Sequence, residues 1–135
     1  MRTVVVALAC VFGMWTAPIA MAEPTIVAPP EVPPARPGTV FTNDPSIVDP
    51  HPMPVESWSR LGAGDVFAVH FTTGTPECYG VNATVQETAE NVTVELRGGT
   101  RPDAVGRACI AIALTGTLEL PLESPVADRQ VLSVY

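Results

Sequence analysis

The stretch YGVNATVQETAENVTVELR, residues 79–97, alternates apolar and polar residues twice. Tyr79, Val81, Ala83 and Val85 fall on one face of an extended chain, and Gly80, Asn82, Thr84 and Gln86 on the other. Val92, Val94 and Leu96 repeat the pattern against Thr93, Glu95 and Arg97. A period of two marks a half-buried strand, because successive side chains leave opposite faces of the backbone. Between the runs, Thr88-Ala89-Glu90-Asn91 reads as a turn. The two runs are expected to pair as an antiparallel hairpin.

The same texture extends outward from the hairpin. DVFAVHFTT (65–73) alternates Val66, Ala68 and His70 with Phe67, Val69 and Phe71. ACIAIAL (108–114) is apolar on both faces, with Ile110, Ile112 and Leu114 opposing Cys109, Ala111 and Ala113. A strand of that kind belongs at the centre of a sheet. TGTLELPL (115–122) alternates again, and Pro121 argues for an edge. VLSVY (131–135) closes the chain as a last strand, while GGTRPDAVGR (98–107) reads as a loop with one helical turn near Pro102. No segment sustains a 3.6-residue period. The expected fold is all-β: one small antiparallel sandwich or barrel-like domain of about six strands, spanning residues 55–135.

Upstream the composition changes. Arg2, the apolar run Val4–Trp15 and the small residues of Ala20-Met21-Ala22 have the three parts of a secretory signal, with the cut expected before Glu23. A retained anchor is the alternative, but Gly13, Thr16 and Pro18 interrupt the stretch a bilayer would need. No stable membrane span is expected after cleavage. Lipidation at Cys10 is a weaker alternative, since Ala7 stands where a larger aliphatic residue is wanted and the apolar run continues past the cysteine. Ten of the 32 residues from Glu23 to Pro54 are proline. Proline fixes φ and removes a donor, so residues 23–54 are expected to be a Pro-rich linker or disordered segment.

Removing the signal takes Cys10 away and leaves Cys78 and Cys109. Two cysteines in an oxidising compartment are expected to form a disulfide. Loop-closure entropy gives such a bridge about 3.5–4 kcal/mol, useful to a domain of only about 80 residues. The alternative is a reactive or metal-binding thiol, but there is no CxxC pair and no histidine close by in sequence.

The formal charge is −7, or −8 without Arg2, and all seven basic residues are Arg. Nucleic acid and anionic surfaces are bound by clustered Lys or Arg, so no nucleic-acid partner is expected. The chemistry-bearing residues are sparse. His51 lies among prolines, and His70 lies in a strand and is read as structural. No metal-ligand spacing, cofactor motif or G-x-S-x-G is present, and Asp65, Glu77, Glu87, Glu90, Asp103 and Asp128 are scattered. Neither a metal nor a cofactor is therefore expected, and no catalytic residue is assigned. What remains is surface. Arg97, Arg101 and Arg107 cluster around one loop in sequence, either as a partner contact or as ordinary solvated charges. Trp58 either caps the end of the sandwich or offers an exposed contact for glycan or protein.

Cys78-Tyr79-Gly80, the hairpin from Val85 to Leu96, Ala108-Cys109-Ile110 and Pro121-Leu122 followed by Arg129, Val131 and Leu132 form a pattern. It resembles small exported proteins of actinobacteria, of the mycobacterial and nocardial kind, over residues 55–135. The resemblance implies a cell-envelope or extracellular setting and adds weight to the Cys78–Cys109 bridge. It implies no activity. The expected role is a non-enzymatic envelope or extracellular module, binding or structural, with a protein or glycan partner. A secreted inhibitor or ligand-binding protein is the alternative, and a hydrolase the third.

Overall fold

The computed structural model describes residues 17–35 and 38–135. Most of the expected signal segment, residues 1–16, lies outside the described residues, and residues 17–22 are exposed and without regular structure. Nine strands occur among the described residues, rather than six: β1 (Ile26–Val27), β2 (Thr39–Phe41), β3 (Val48–Pro52), β4 (Ser57–Leu61), β5 (Val66–Thr73), β6 (Tyr79–Glu87), β7 (Asn91–Thr100), β8 (Leu114–Pro121) and β9 (Gln130–Val134).

They form two sheets. In the five-stranded sheet, β6 pairs antiparallel along one edge of β7, as the alternation of residues 79–97 requires. The other edge of β7 is shared: β9 pairs parallel with Asn91–Glu95, and β3 pairs antiparallel with its later half. β1 lies on the far side of β9. The four-stranded sheet has the order β2-β8-β5-β4, and β2 is parallel to β8. The expectation of a purely antiparallel fold is thus corrected at two pairs. Phe67, Phe71 and Leu118 from one sheet face Val81, Val94 and Leu96 from the other, and all six are essentially inaccessible. Burial alternates along most of the long central strand β7, and each sheet turns one apolar face inward.

The linker expected at residues 23–54 is the largest correction. β1, β2 and β3 all come from it, and it supplies Phe41, Ile47 and Met53 to the interior. Pro30, Pro50 and Pro52 sit where a missing N–H is tolerated. Along the edge of β4, Trp58 N–H donates to Pro30 O, and Val32 N–H donates to Trp58 O. Only the carbonyl of Pro30 is used. β3 pairs on one side alone, with a register shift between Val48 and His51, so Pro50 and Pro52 lie on an edge strand at an irregularity, both permitted places. Asn43 pins the segment to β6: Ala83 N–H donates to Asn43 Oδ1 at 2.8 Å, and Asn43 Nδ2 donates to Ala83 O at 3.1 Å. One side chain thereby satisfies a donor and an acceptor on the β6 edge.

Gly80 and Gly99 are cross-strand partners and leave a bare patch on which Ile47 lies. A Cβ on Gly99 would stand 2.7 Å from Val48 O and 3.1 Å from Ile47 Cβ. Gly99→Ala is therefore expected to lower stability by about 1–3 kcal/mol through overpacking. A urea midpoint measures it, and an unchanged midpoint would mean that Ile47 does not seat there.

Pro121 is not on an edge strand, because β8 lies between β5 and β2. β2 reaches only Leu118, however. Leu122 N–H donates to Asp65 O, so the Pro121 nitrogen points the other way, toward the uncovered side. The other misread element is ACIAIAL. Only Leu114 joins a strand, and Ala108–Ala113 form an irregular crossover between the sheets.

Candidate functional site

Residues 101–113 carry the chain from β7 in one sheet to β8 in the other. The passage begins with a 3-10 turn at Pro102–Ala104, whose Ala104 is buried. It then runs outside the sandwich. Val105, Ile110 and Ile112 are 57%, 62% and 47% exposed, a concentration of large apolar side chains in solvent. Among the described residues and outside the strand ladders, residues 108–113 make one backbone hydrogen bond, from Ile112 N–H to Ile110 O at 3.2 Å. The physical reason is reach. β5 ends at Thr73, opposite Leu114, and β2 begins at Thr39, opposite Gly116, so among the described residues no strand extends alongside residues 108–113.

The crossover is fastened midway. Cys109 is disulfide-bonded to Cys78, with Cα atoms 6.2 Å apart. Cys78 is buried just before β6, and its carbonyl accepts from Arg101 N–H. The bridge ties the middle of the crossover to the start of the hairpin.

The three arginines do not form one site. Arg101 donates to Asp103 from Nε at 3.0 Å and Nη2 at 3.3 Å, and Arg107 Nη1 donates to Asp103 O at 3.5 Å. The hydrogen bond from Arg101 holds the Asp103 carboxyl below its ordinary pKa of 3.8. Arg101 and Arg107 share a shallow depression of about 360 Å³ with Pro76, Glu77 and Asp103. Arg97 stands apart on the outer face of β7, paired with Glu95. Trp58 is 5% exposed, edge-on to Phe67 at 6.4 Å, with the Arg60 guanidinium 5.4 Å from its ring. It belongs to the core, and the exposed-contact reading does not apply to it. Among the described residues, the arginine that makes the most hydrogen bonds is Arg129: it donates to Glu87 Oε1 at 2.9 Å and to the carbonyls of Thr88, Ser124 and Pro125. Sequence offered no signal for this, because its partners lie about 40 positions away and on its own loop.

His70 lies on the outward face of β5, half-buried rather than in the core. Its Nε2 is 2.9 Å from Ser59 Oγ and its Nδ1 is 3.1 Å from Thr117 Oγ1. In the neutral ring one nitrogen donates and the other accepts, so both buried hydroxyls are satisfied. Ser59 is 1% exposed, too enclosed to serve as a nucleophile, and the trio reads as a structural polar ladder across β4, β5 and β8. Burial lowers the His70 pKa below its ordinary 6.5. The fold favours the neutral ring, and the unfolded chain takes up the proton first. Stability is thus fully present above pH 6.5 and declines as the pH falls below it. His70→Ala is expected to cost about 1–3 kcal/mol and to flatten this decline. Melting temperatures from pH 8 to pH 5 (about the range over which an ordinary His titrates) check both effects, and parallel pH profiles for the two proteins would refute the role.

A second cleft, of about 260 Å³, opens where the sheets part at one end of the sandwich. His51, Glu56, Thr73 and Tyr79 line it, with Gly98 and Gly99 in its floor. β3 places His51, which lies among prolines in the sequence, in a defined position opposite Gly98. Among the described residues no three His, Cys, Asp or Glu side chains converge to hold a metal, and no helix is long and apolar enough to cross a membrane. No protein family, characterised protein or solved structure matches this chain.

Proposed function

We propose that the chain is an exported, non-enzymatic binding module of the cell envelope or extracellular space, and that the crossover at residues 105–113 is its contact surface. The observation that carries this reading is the exposure of Val105, Ile110 and Ile112 together on a segment held by a disulfide. Scattered apolar residues on a surface are ordinary, but a fixed run of them marks a place that another molecule covers. The disulfide also supports the exported setting, since such bonds persist in oxidising compartments. The secretory character of residues 1–22 and the resemblance to actinobacterial exported proteins point the same way.

The ligand-binding alternative has its own support in the cleft between His51, Glu56 and Tyr79, which brings an imidazole, a carboxylate and an aromatic ring around a glycine floor. A single comparison separates the two readings. The double variant Ile110→Asp with Ile112→Asp is expected to keep its thermal stability and to leave the envelope fraction or native complexes. His51→Ala with Glu56→Ala is expected to leave that association intact. Undiminished association of the crossover variant would refute the reading.

A further inference from the structure

We infer that the crossover's partner is a second copy of this chain, joined by antiparallel pairing of residues 108–114 across a two-fold axis at Ala111. The inference rests on the reading of the crossover as a contact surface and names what covers it.

The segment has a strand's sequence without a strand's partners. From Cys109 to Leu114 small and large apolar side chains alternate. Their backbone groups lie largely outside any ladder, and β8 continues from Leu114 without a break. Proteins protect such stretches with lysine, proline or an inward charge. None is present here: no charged residue occurs between Arg107 and Glu119, and the first proline after the segment is Pro121.

The pattern is complementary to itself. Antiparallel pairing centred on Ala111 places Ile110 opposite Ile112 of the second copy, Cys109 opposite Ala113, and Ala108 opposite Leu114. Every large side chain then meets an apolar one, and the same patch serves both copies, as a two-fold interface demands. The single hydrogen bond from Ile112 N–H to Ile110 O would be exchanged for a ladder.

Charge permits this meeting point. Two exported copies, each of net charge −8 without Arg2, repel each other. The depression beside the crossover holds Arg101 and Arg107 against Glu77 and Asp103, so this end is locally neutral. A second acidic copy therefore meets little local opposition here. The area is modest. Two strands of this length, with Val105 at the rim, bury on the order of 1,000 Å² in total, at the lower limit for a specific interface. That makes a reversible dimer rather than an obligate one.

Sedimentation velocity on the full exported chain, from ~1 to ~200 μM, brackets the affinity such an interface supports. A concentration-dependent dimer is expected. It should tighten as salt rises, because screening removes the repulsion between the acidic bodies while the contact itself is uncharged. Register is tested with single cysteines. Across the axis, position 111 faces its counterpart at ~4.5–5.5 Å, within disulfide reach. Position 113 lies ~14 Å from its counterpart. Ala111→Cys is thus expected to form a covalent dimer under mild oxidation at least ten times faster than Ala113→Cys. Peptide mass mapping identifies the 111–111 link and separates it from exchange with the native bridge. A chain that stays monomeric throughout, or one that cross-links equally at 111 and 113, overturns the inference. If the chain is monomeric and the Ile110/Ile112 variant still loses envelope association, the crossover binds a different protein and the functional reading survives. If neither property moves, both readings fall.

Discussion

A chain cut back to residues 55–135 is expected to lose cooperative folding, although that interval contains every strand visible as a hydrophobic alternation. The cut removes β1, β2 and β3. Phe41, Ile47 and Met53 go with them, each at most 8% exposed. Phe41 packs against Phe71 at 5.7 Å, so its loss opens the centre of the second sheet. Truncating a large buried side chain costs about 2–5 kcal/mol, and three such losses alone equal the whole stability of an ordinary domain, about 5–15 kcal/mol. The cut also strips Asn43 from the β6 edge and Pro30 and Val32 from the β4 edge, leaving backbone donors and acceptors unpaired. Urea unfolding of residues 23–135 should be sigmoidal, whereas residues 55–135 should show a gradual change with exposed apolar surface. A sharp transition in the shorter chain would show that the proline-rich segment only decorates a self-sufficient domain.

Replacing both Cys78 and Cys109 by serine is expected to lower stability by about 2–5 kcal/mol. The bridge spans a separation of 31 residues, enclosing the whole β6–β7 hairpin and half the crossover. Untying it frees the unfolded chain, so the slope of the denaturant transition should steepen as the midpoint falls. The folded state suffers locally as well. Residues 105–113 have few backbone hydrogen bonds of their own, and without the bridge their amides should exchange at nearly the rate of a free loop. A loss below about 1 kcal/mol would place this bond outside the usual range for a native disulfide in a small domain.

These two expectations mark the boundary between local and distant information. Residues 79–97 read as a hairpin because period, turn and polarity all lie within 19 residues, and the observed register pairs Tyr79 with Thr100 through Glu87 with Val92. The cysteine pair was legible by counting. The all-β class followed from alternation without helical periodicity. By contrast, ACIAIAL satisfies the strand pattern as well as any segment, yet six of its seven residues lie outside the ladders. Alternation records what a segment is able to do. Whether it pairs depends on where β5 and β2 stop, which their own sequences and the turn at residues 76–78 decide.

The proline-rich segment fails in the opposite direction. Composition reports the donors it lacks, while its place in the fold depends on carbonyls, on Asn43 and on three buried side chains matched to β4, β6 and β7. His70 shows the same division: its strand was evident, but the hydroxyls of Ser59 and Thr117 that satisfy its ring are 11 and 47 residues away. By itself the sequence determined the all-β class, the central hairpin and the disulfide, because each is written in residues near one another or in a count. The tertiary structure alone decided which strand-like segments pair, how the prolines are accommodated and which apolar run is left in solvent, because a β ladder is completed by whichever chain lies 5 Å away in space (about the spacing of neighbouring strands) and not by the next residue in line.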